Sequence, residues 1–364
     1  MKTEFPDYDR SVLSVTASVL EYYGVNTGHK TLPELDKLLK KDYRNVIIML
    51  FDGMGKNTIE SNLGENSIIR KNKIADITSV FPSTTVAATT SIESGLSPAE
   101  HGWLGWTVYF KEIDKTITVF LNEDDNKEKQ SFPVAATYIP YETIFSKINK
   151  TGRATAHLCS PFSETRDNTL EKIIEKASGT ANTEGRHFIY CYCPEPDHTM
   201  HGVGIDGKEI RPLIEKIDRS VKEMAEKACD SLIITMADHG LINVEWDSFD
   251  NHPELYDMLE RETSVEPRAV NIFVKPGKEQ DFKEKFNEIF GDKFILLTKK
   301  EIYESKLFGP GEPHPHFDSS VGDFMALSTD RLCLKYKKSD PFPATHGGVT
   351  VDEMEVTLSA IESR

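Results

Sequence analysis

The sequence predicts an α/β fold: a doubly wound, mostly parallel sheet with helices on both faces, plus a small α+β insertion. Two observations carry this. Four apolar runs, "RNVIIMLFDGMG", "ATAHLCS", "HFIYCYCPEPD" and "DSLIITMADHG", are short, continuous and closed by polar or turn residues. Buried parallel strands read this way. Amphipathic helical patterns lie between them, and such alternation argues for βαβ units. A length of 364 residues suits one large α/β domain, or a main domain carrying a smaller one.

Taken in order, residues 8–24 have a helical pattern ending at Gly24, and "LPELDKLLKK" is a second, short amphipathic helix. The first strand follows, closing at Asp52. "WTVYFKEIDKTITVFLNED" (106–124) predicts a hairpin with Asp114 and Lys115 near its turn. "YETIFSKINKTG" and "IRPLIEKIDRSVKEMAEKA" have the period of helices. Residues 266–335 read as β-α-β, a Gly/Pro/His-rich loop, then a further β segment. "ATHGGVTVDEMEVTLSAIES" predicts a loop followed by a helix. The expected division is an N-terminal helical extension (1–43), a core (44–265 and 336–364) and a small α+β cap (266–335).

Composition excludes several functions. Hydrophobic content of 38% and charged content of 28% are ordinary for a folded domain. A net charge of −16 opposes a broad nucleic-acid surface and an anionic membrane. It leaves room for a small phosphorylated substrate, because a local metal reverses the sign of the field. "MKTEFPDYDRSVLSV" lacks a basic region followed by an apolar run, and "NVIIMLF" is too short to span a bilayer. The five cysteines include no CxxC spacing, so reduced thiols and a cytoplasmic location are expected. Cys191 and Cys193 lie in a buried-strand pattern, where packed thiols are the simplest reading.

Ligands bind outside the carboxyl ends of strands in such sheets. Asp52, Asp197, Asp238 and His239 all fall at such ends. In "PDHTMH", Asp197 and His201 are at i and i+4, so one helical turn aims both the same way. "MADHGL" sets Asp238 and His239 at a strand end, and "ATHGGV" sets His346 in a Gly loop where backbone approaches closely. Each has an ordinary alternative: a surface Asp–His bond, or a strand-end turn. Together, three Asp and three His at separate turning points suffice for two metal sites, each with an open position. The stretch "VFPSTTVAATTSIESG" is rich in hydroxyls and has no base beside them, so an activated hydroxyl there needs help from afar.

The ordered blocks "DGMG", "FPSTTVAATTSIESGLSPAEHG", "PDHTMHG", "ADHG" and "THGG" resemble the type I phosphodiesterase/nucleotide pyrophosphatase branch of the alkaline phosphatase superfamily, over about residues 44–362. The resemblance implies an alkaline phosphatase-like core and two zinc ions, with Mn or Fe as substitutes. One ion would be held by Asp52, Asp238, His239 and the nucleophile, the other by Asp197, His201 and His346. It implies Thr85 as nucleophile, ten residues before Gly95, with Thr84 the neighbouring alternative. A coordinating Zn²⁺ would lower the hydroxyl pKa, and the route would pass through a phospho-threonine. Two residues depart from the pattern. Ala88 stands where these enzymes carry an Asn that contacts the phosphoryl group, and Thr84 where a Lys is common.

The expected function is therefore two-metal hydrolysis of phosphodiester or pyrophosphate bonds in a small phosphorylated substrate, a nucleotide among the candidates. A phosphomonoesterase or phosphonate hydrolase with the same metals is the alternative, and a catalytically weak metal-dependent binding protein is the reading from another class. Lys56 is a candidate phosphate contact, although a solvated helix-start Lys reads the same way. Trp106 is a candidate stacking residue, with core packing as its other reading. His316, in the long 309–323 loop, is a candidate lid or substrate contact. Arg268 reads as a salt-bridge partner.

Overall fold

The apolar run after Arg44 forms the strand Asn45–Phe51, buried at all seven positions. In this computed structural model, which describes all residues except 164–165, 339–340 and 364, it lies between two parallel neighbours. Leu50 pairs with Tyr192 on one side and with Met236 on the other. With both edges paired and both faces covered, nothing selects for polar residues, which explains the unbroken apolar run. Each fully buried Val, Ile, Leu, Met or Phe contributes about 1.5–3 kcal/mol.

The main sheet has six strands in the order Lys73–Thr78, Glu355–Ser363, Ser231–Met236, Asn45–Phe51, His187–Cys193, Thr155–Cys159. The last four run parallel, and Glu355–Ser363 is antiparallel to both its neighbours. The sheet is mostly parallel, as the sequence predicts. Its helices pack in two groups. Val12–Tyr22, Thr85–Ser94 and Ile144–Thr151 form one; Lys56–Asn62, Leu170–Ala181 and Ile210–Lys227 form the other. Ile210–Lys227 buries Ile210, Ile214, Ile217, Val221 and Met224, one stripe of a 3.6-residue period.

Two expectations are revised. The tail was expected to be a loop and then a helix. Only Val351–Met354 is helical, and Glu355–Ser363 is a nine-residue strand. Met354, Leu358 and Ile361 do fall at helical spacing, but Val356, Thr357 and Ile361 are β-branched and favour a strand. The open edges of Lys73–Thr78 and Ser231–Met236 then decide, by pairing with both sides of it. The predicted helix over 8–24 spans Val12–Tyr22, with residues 12–20 all buried, and it packs on the Thr85–Ser94, Pro33–Leu39 and Ile144–Thr151 helices. This N-terminal helix therefore forms part of the core and backs the helix that starts at Thr85.

A second sheet of seven strands runs in the order Phe294–Thr298, Phe324–Ser328, Ala269–Ile272, Ser264–Glu266, Thr107–Phe110, Lys115–Thr118, Glu123–Asp124. The hairpin predicted around Asp114 thus continues into the 266–335 segment, and Ser264–Glu266 bridges the two through Val265 and Thr107. The far end closes on Phe282, Phe286 and Phe290 of the helix Glu279–Phe290, packed with Phe249, Phe294 and Phe324. Among the described residues, no helix is long and apolar enough to cross a membrane.

Candidate active site

The carboxyl ends of the central strands bring the six sequence-identified ligand candidates together. Asp52 follows Asn45–Phe51, Asp238 and His239 follow Ser231–Met236, and Asp197 opens the helix Asp197–Val203 after His187–Cys193. His346 arrives in the loop after the short strand Ala344–Thr345. Donor atoms of Asp52, Asp238 and His239 lie within 4.8 Å of one another, and so do those of Asp197, His239 and His346. His201 Nε2 stands 3.3 Å from Asp197 Oδ2, and His346 Nε2 is 3.7 Å from Asp197 Oδ1. His239 sits between the two groups, with its ring stacked on His346 at 3.8 Å.

The backbone sets the tautomer of all three imidazoles. His239 Nδ1 meets the Gly240 carbonyl at 3.1 Å, His201 Nδ1 that of Ala344 at 2.8 Å, and His346 Nδ1 that of Ser83 at 3.1 Å. A carbonyl only accepts, so each Nδ1 carries the proton and each Nε2 offers its lone pair inward. The carboxylates agree with this. Asp197 Oδ1 and Asp238 Oδ2 are buried and receive no hydrogen bond. Buried carboxylate oxygens without donors are costly unless a cation faces them. Burial, with Asp238 and Asp197 adding like charge, pushes the Asp52 carboxyl well above its ordinary range. Burial drives His346 well below an ordinary histidine. Inward-facing imidazole nitrogens and crowded carboxylates with unused lone pairs fit divalent metal ions.

Thr85 is the first residue of the helix Thr85–Ser94. Its Oγ1 lies 3.3 Å from Asp52 Oδ1 and 3.1 Å from His239 Nε2. The neighbouring hydroxyls point elsewhere. Thr84, at the N-cap, donates to Glu266 Oε1 at 2.6 Å; Ser83 donates to the Gly348 carbonyl, and Thr89 back to the Thr85 carbonyl. The ten-residue helix that Thr85 opens gives its first turn unpaired N–H groups and a positive end, which favour an anion.

A cleft of about 810 Å³ opens over this cluster, reaching Thr85, Asp197, His201 and His346. Trp106 lines it and is 41% exposed, so the indole is available to a ligand. The other two suggested contacts are placed differently. Lys56 is ion-paired to Glu355 at 2.7 Å and Asp76 at 3.2 Å, because Glu355–Ser363 is a strand beside Lys73–Thr78 and presents an acid there. His316 faces Glu112 at 3.3 Å and the Tyr138 ring. Its loop is docked on the helix Pro98–His101, where His314 N donates to the Ala99 carbonyl and Ser97 Oγ to that of Pro310. Neither Lys56 nor His316 lines the cleft.

Sequence reasoning missed four residues. Tyr192 donates its phenol to Asp52 Oδ2; the flanking cysteines were the more visible feature. Phe342 packs on His201 with ring centres 5.0 Å apart, and the Trp246 indole donates to its carbonyl. Glu266 accepts from Thr84 and from the Trp106 backbone N–H. Alternation within "SVEPRAVN" would have flagged Glu266 only as one acid near a strand.

The overall arrangement has known counterparts. Murine ectonucleotide pyrophosphatase/phosphodiesterase 5, solved as an inactive threonine-to-alanine variant with AMP, superposes with a TM-score of 0.67 at 17% identity, covering 88% of each chain. The human protein of the same name superposes at 0.66 and 15% identity, over 86% of this chain and 87% of its own. At these identities the likeness establishes the fold. Comparison with curated protein sequences finds no match. The sequence profile described as type I phosphodiesterase/nucleotide pyrophosphatase matches residues 46–349, which include every ligand candidate above. The chain is a phosphoric ester hydrolase, and it belongs to the type I phosphodiesterase/nucleotide pyrophosphatase family.

Proposed function

We propose that this enzyme cleaves phosphodiester or pyrophosphate bonds in a nucleotide-like substrate, with Thr85 as nucleophile and two zinc ions as cofactors. Asp52, Asp238 and His239 would hold one ion beside Thr85; Asp197, His201 and His346 would hold the other. Bound there, the ions would supply Lewis-acid stabilisation of phosphoryl charge and a lowered pKa for the attacking hydroxyl. Thr85 Oγ1 attacks phosphorus in line. The Oγ1–P bond forms as the bond to the leaving group breaks, and the hydroxyl proton departs on the side facing Asp52 and His239. Water then cleaves the phospho-threonine and restores Thr85.

The observation that carries this reading is the convergence of three inward Nε2 lone pairs and three carboxylates in one cluster, with the Thr85 hydroxyl beside Asp52 and His239. The length of the cleft supports a diester over a monoester, because its walls extend to Trp106, Trp246 and Phe342, well beyond what one phosphoryl group fills. Exposed indole and phenyl faces suit a flat base, and the murine relative holds AMP. Five free cysteines support a reducing, cytoplasmic setting. The test is turnover of bis(p-nitrophenyl) phosphate against p-nitrophenyl phosphate by zinc-loaded protein. Faster diester cleavage is expected. Faster monoester cleavage would favour a phosphomonoesterase, and a metal-free, inactive protein that zinc does not activate would overturn the whole reading.

A further inference from the structure

We propose that Glu266 is a positioning residue for the reaction, a single buried carboxyl that ties the threonine pair presenting the nucleophile to the segment presenting Trp106. Three observations converge on it. One oxygen, Oε1, accepts the Thr84 hydroxyl at 2.6 Å and the Trp106 backbone N–H at 2.8 Å. Thr84 immediately precedes Thr85, so this bond fixes the start of the nucleophile helix from outside the main sheet. The backbone feeding Glu266 is itself unusual. Val265 has φ +75°, in the left-handed region that a β-branched residue rarely enters. A Cβ on Gly105 would come within 2.8 Å of Val265 Cγ1, so the hairpin entrance and Val265 are pressed together. On the other side, a Cβ on Gly347 would lie 3.1 Å from Glu266 Cβ, so the loop carrying His346 rests on the Glu266 stem.

Glu266 therefore joins three segments that sequence separates widely: the Thr84–Thr85 turn, the entry to the hairpin and the His346 loop. It lines the cleft yet is only 8% exposed, so its geometry is fixed by protein rather than by solvent. The Glu266 carboxyl accepts both hydrogen bonds through one atom, so moving that atom shifts both donors together. Strain held at Val265 is consistent with a backbone bent to aim this carboxyl.

This inference rests on Thr85 being the nucleophile, and the experiment separates the two ideas. Glu266→Ala, Glu266→Gln and Thr84→Val are compared with the parent on bis(p-nitrophenyl) phosphate, with zinc content measured for each. Glu266→Ala is expected to lower kcat by about 10²-fold, the scale of an ångström-sized misplacement, and to raise KM as Trp106 shifts. Glu266→Gln, whose Oε1 still accepts, should return kcat to within about fivefold of the parent. Thr84→Val should lower kcat and leave KM unchanged, because the Trp106 bond survives. Zinc content should be unchanged throughout. Glu266→Ala with parental kcat and KM overturns the proposal, as does a Gln variant as impaired as Ala. If Glu266→Ala does not fold, parental kcat in Thr84→Val overturns it. If the parent turns over no phosphate ester, the functional reading fails by itself. Hydrogen exchange then decides the tether: the Trp106 amide should exchange faster in Glu266→Ala and near the parental rate in Glu266→Gln, and unchanged exchange in Glu266→Ala overturns it.

Discussion

Replacing Glu353 with Ala tests whether a buried ion pair holds the His346 loop in place. Arg268 and Glu353 side chains are both fully buried, with Nε to Oε1 at 2.5 Å and Nη2 to Oε2 at 2.8 Å. Glu353 also accepts from Gly348 N at 2.8 Å and from Thr350 Oγ1 at 2.7 Å, and Gly348 lies two residues beyond His346. Glu353→Ala strands the guanidinium with the Asp330 and Leu332 carbonyls and the Cys333 thiol. An uncompensated buried charge costs about 3–5 kcal/mol. At about 2 °C per kcal/mol for a large domain, Tm should fall by about 8 °C. Arg268→Met should cost less, because the orphaned carboxylate keeps the Gly348 and Thr350 donors. The double variant Arg268→Met/Glu353→Leu should recover much of the loss, since no buried charge remains. The assay is thermal and urea unfolding of zinc-saturated protein, with zinc affinity measured in parallel; affinity should drop for Glu353→Ala as the Gly348 anchor is lost. A Tm for Glu353→Ala within about 2 °C of the parent, or a double variant worse than both singles combined, would refute the reasoning.

Three further outcomes are expected. Thr85→Ala should lower kcat by about 10³-fold or more while zinc content stays near parental; if Thr84→Ala has the larger effect, the nucleophile is the neighbouring residue. Chelation should lower Tm, because an ion present at about 100 times its Kd contributes about 2.7 kcal/mol per site, and zinc should restore it; unchanged unfolding after metal removal would contradict the ligand assignment. Acid should destabilise the fold through His101, which burial lowers to about 3 and which accepts from Trp103 N at 3.0 Å. Its unfolded value is about 6.5, so between the two values the unfolded chain binds the extra proton, and stability falls as pH falls, by about 1.4 kcal/mol per unit from this group. Urea unfolding at pH 6.5 and 5 should show a shallower slope for His101→Asn than for the parent; equal slopes would show that His101 does not titrate across the transition.

The floor of the site was legible because strand ends announce themselves. A buried parallel strand shows as a short apolar run, and Asp52, Asp197, Asp238 and His239 stand where those runs close. Thr85 was legible only through the ordered motif blocks, since its partners Asp52 and His239 lie 33 and 154 residues away. The cleft walls left no comparable trace. Phe342 and Trp246 lie in irregular or short segments with no period, and Glu266 acts across 182 residues on Thr84. Lys56 and His316 were misplaced for a related reason. Each sits near a site motif or in a suggestive loop, but its partner, Glu355 or Glu112, depends on strand pairing that local sequence does not encode.

The position of Ala88 shows how the two sheets divide the task. It is fully buried within the Thr85–Ser94 helix, whose other side is covered by Val12–Tyr22. An Asn there would need a hydrogen-bond partner inside an apolar layer, so in this chain the position serves packing. The first-turn N–H groups of the same helix border the cluster and suit phosphoryl oxygens, whereas the Tyr192 O–H is already given to Asp52. The chemistry thus stays with the parallel sheet and its strand ends. Trp106 comes from the second sheet's hairpin side and Trp246 from a separate short strand pairing with Leu332–Lys335. Substitutions at the strand ends should act on kcat, and substitutions of Trp106, Trp246 or Phe342 on the outer walls should act on KM, because these three rings lie away from Thr85 along the cleft.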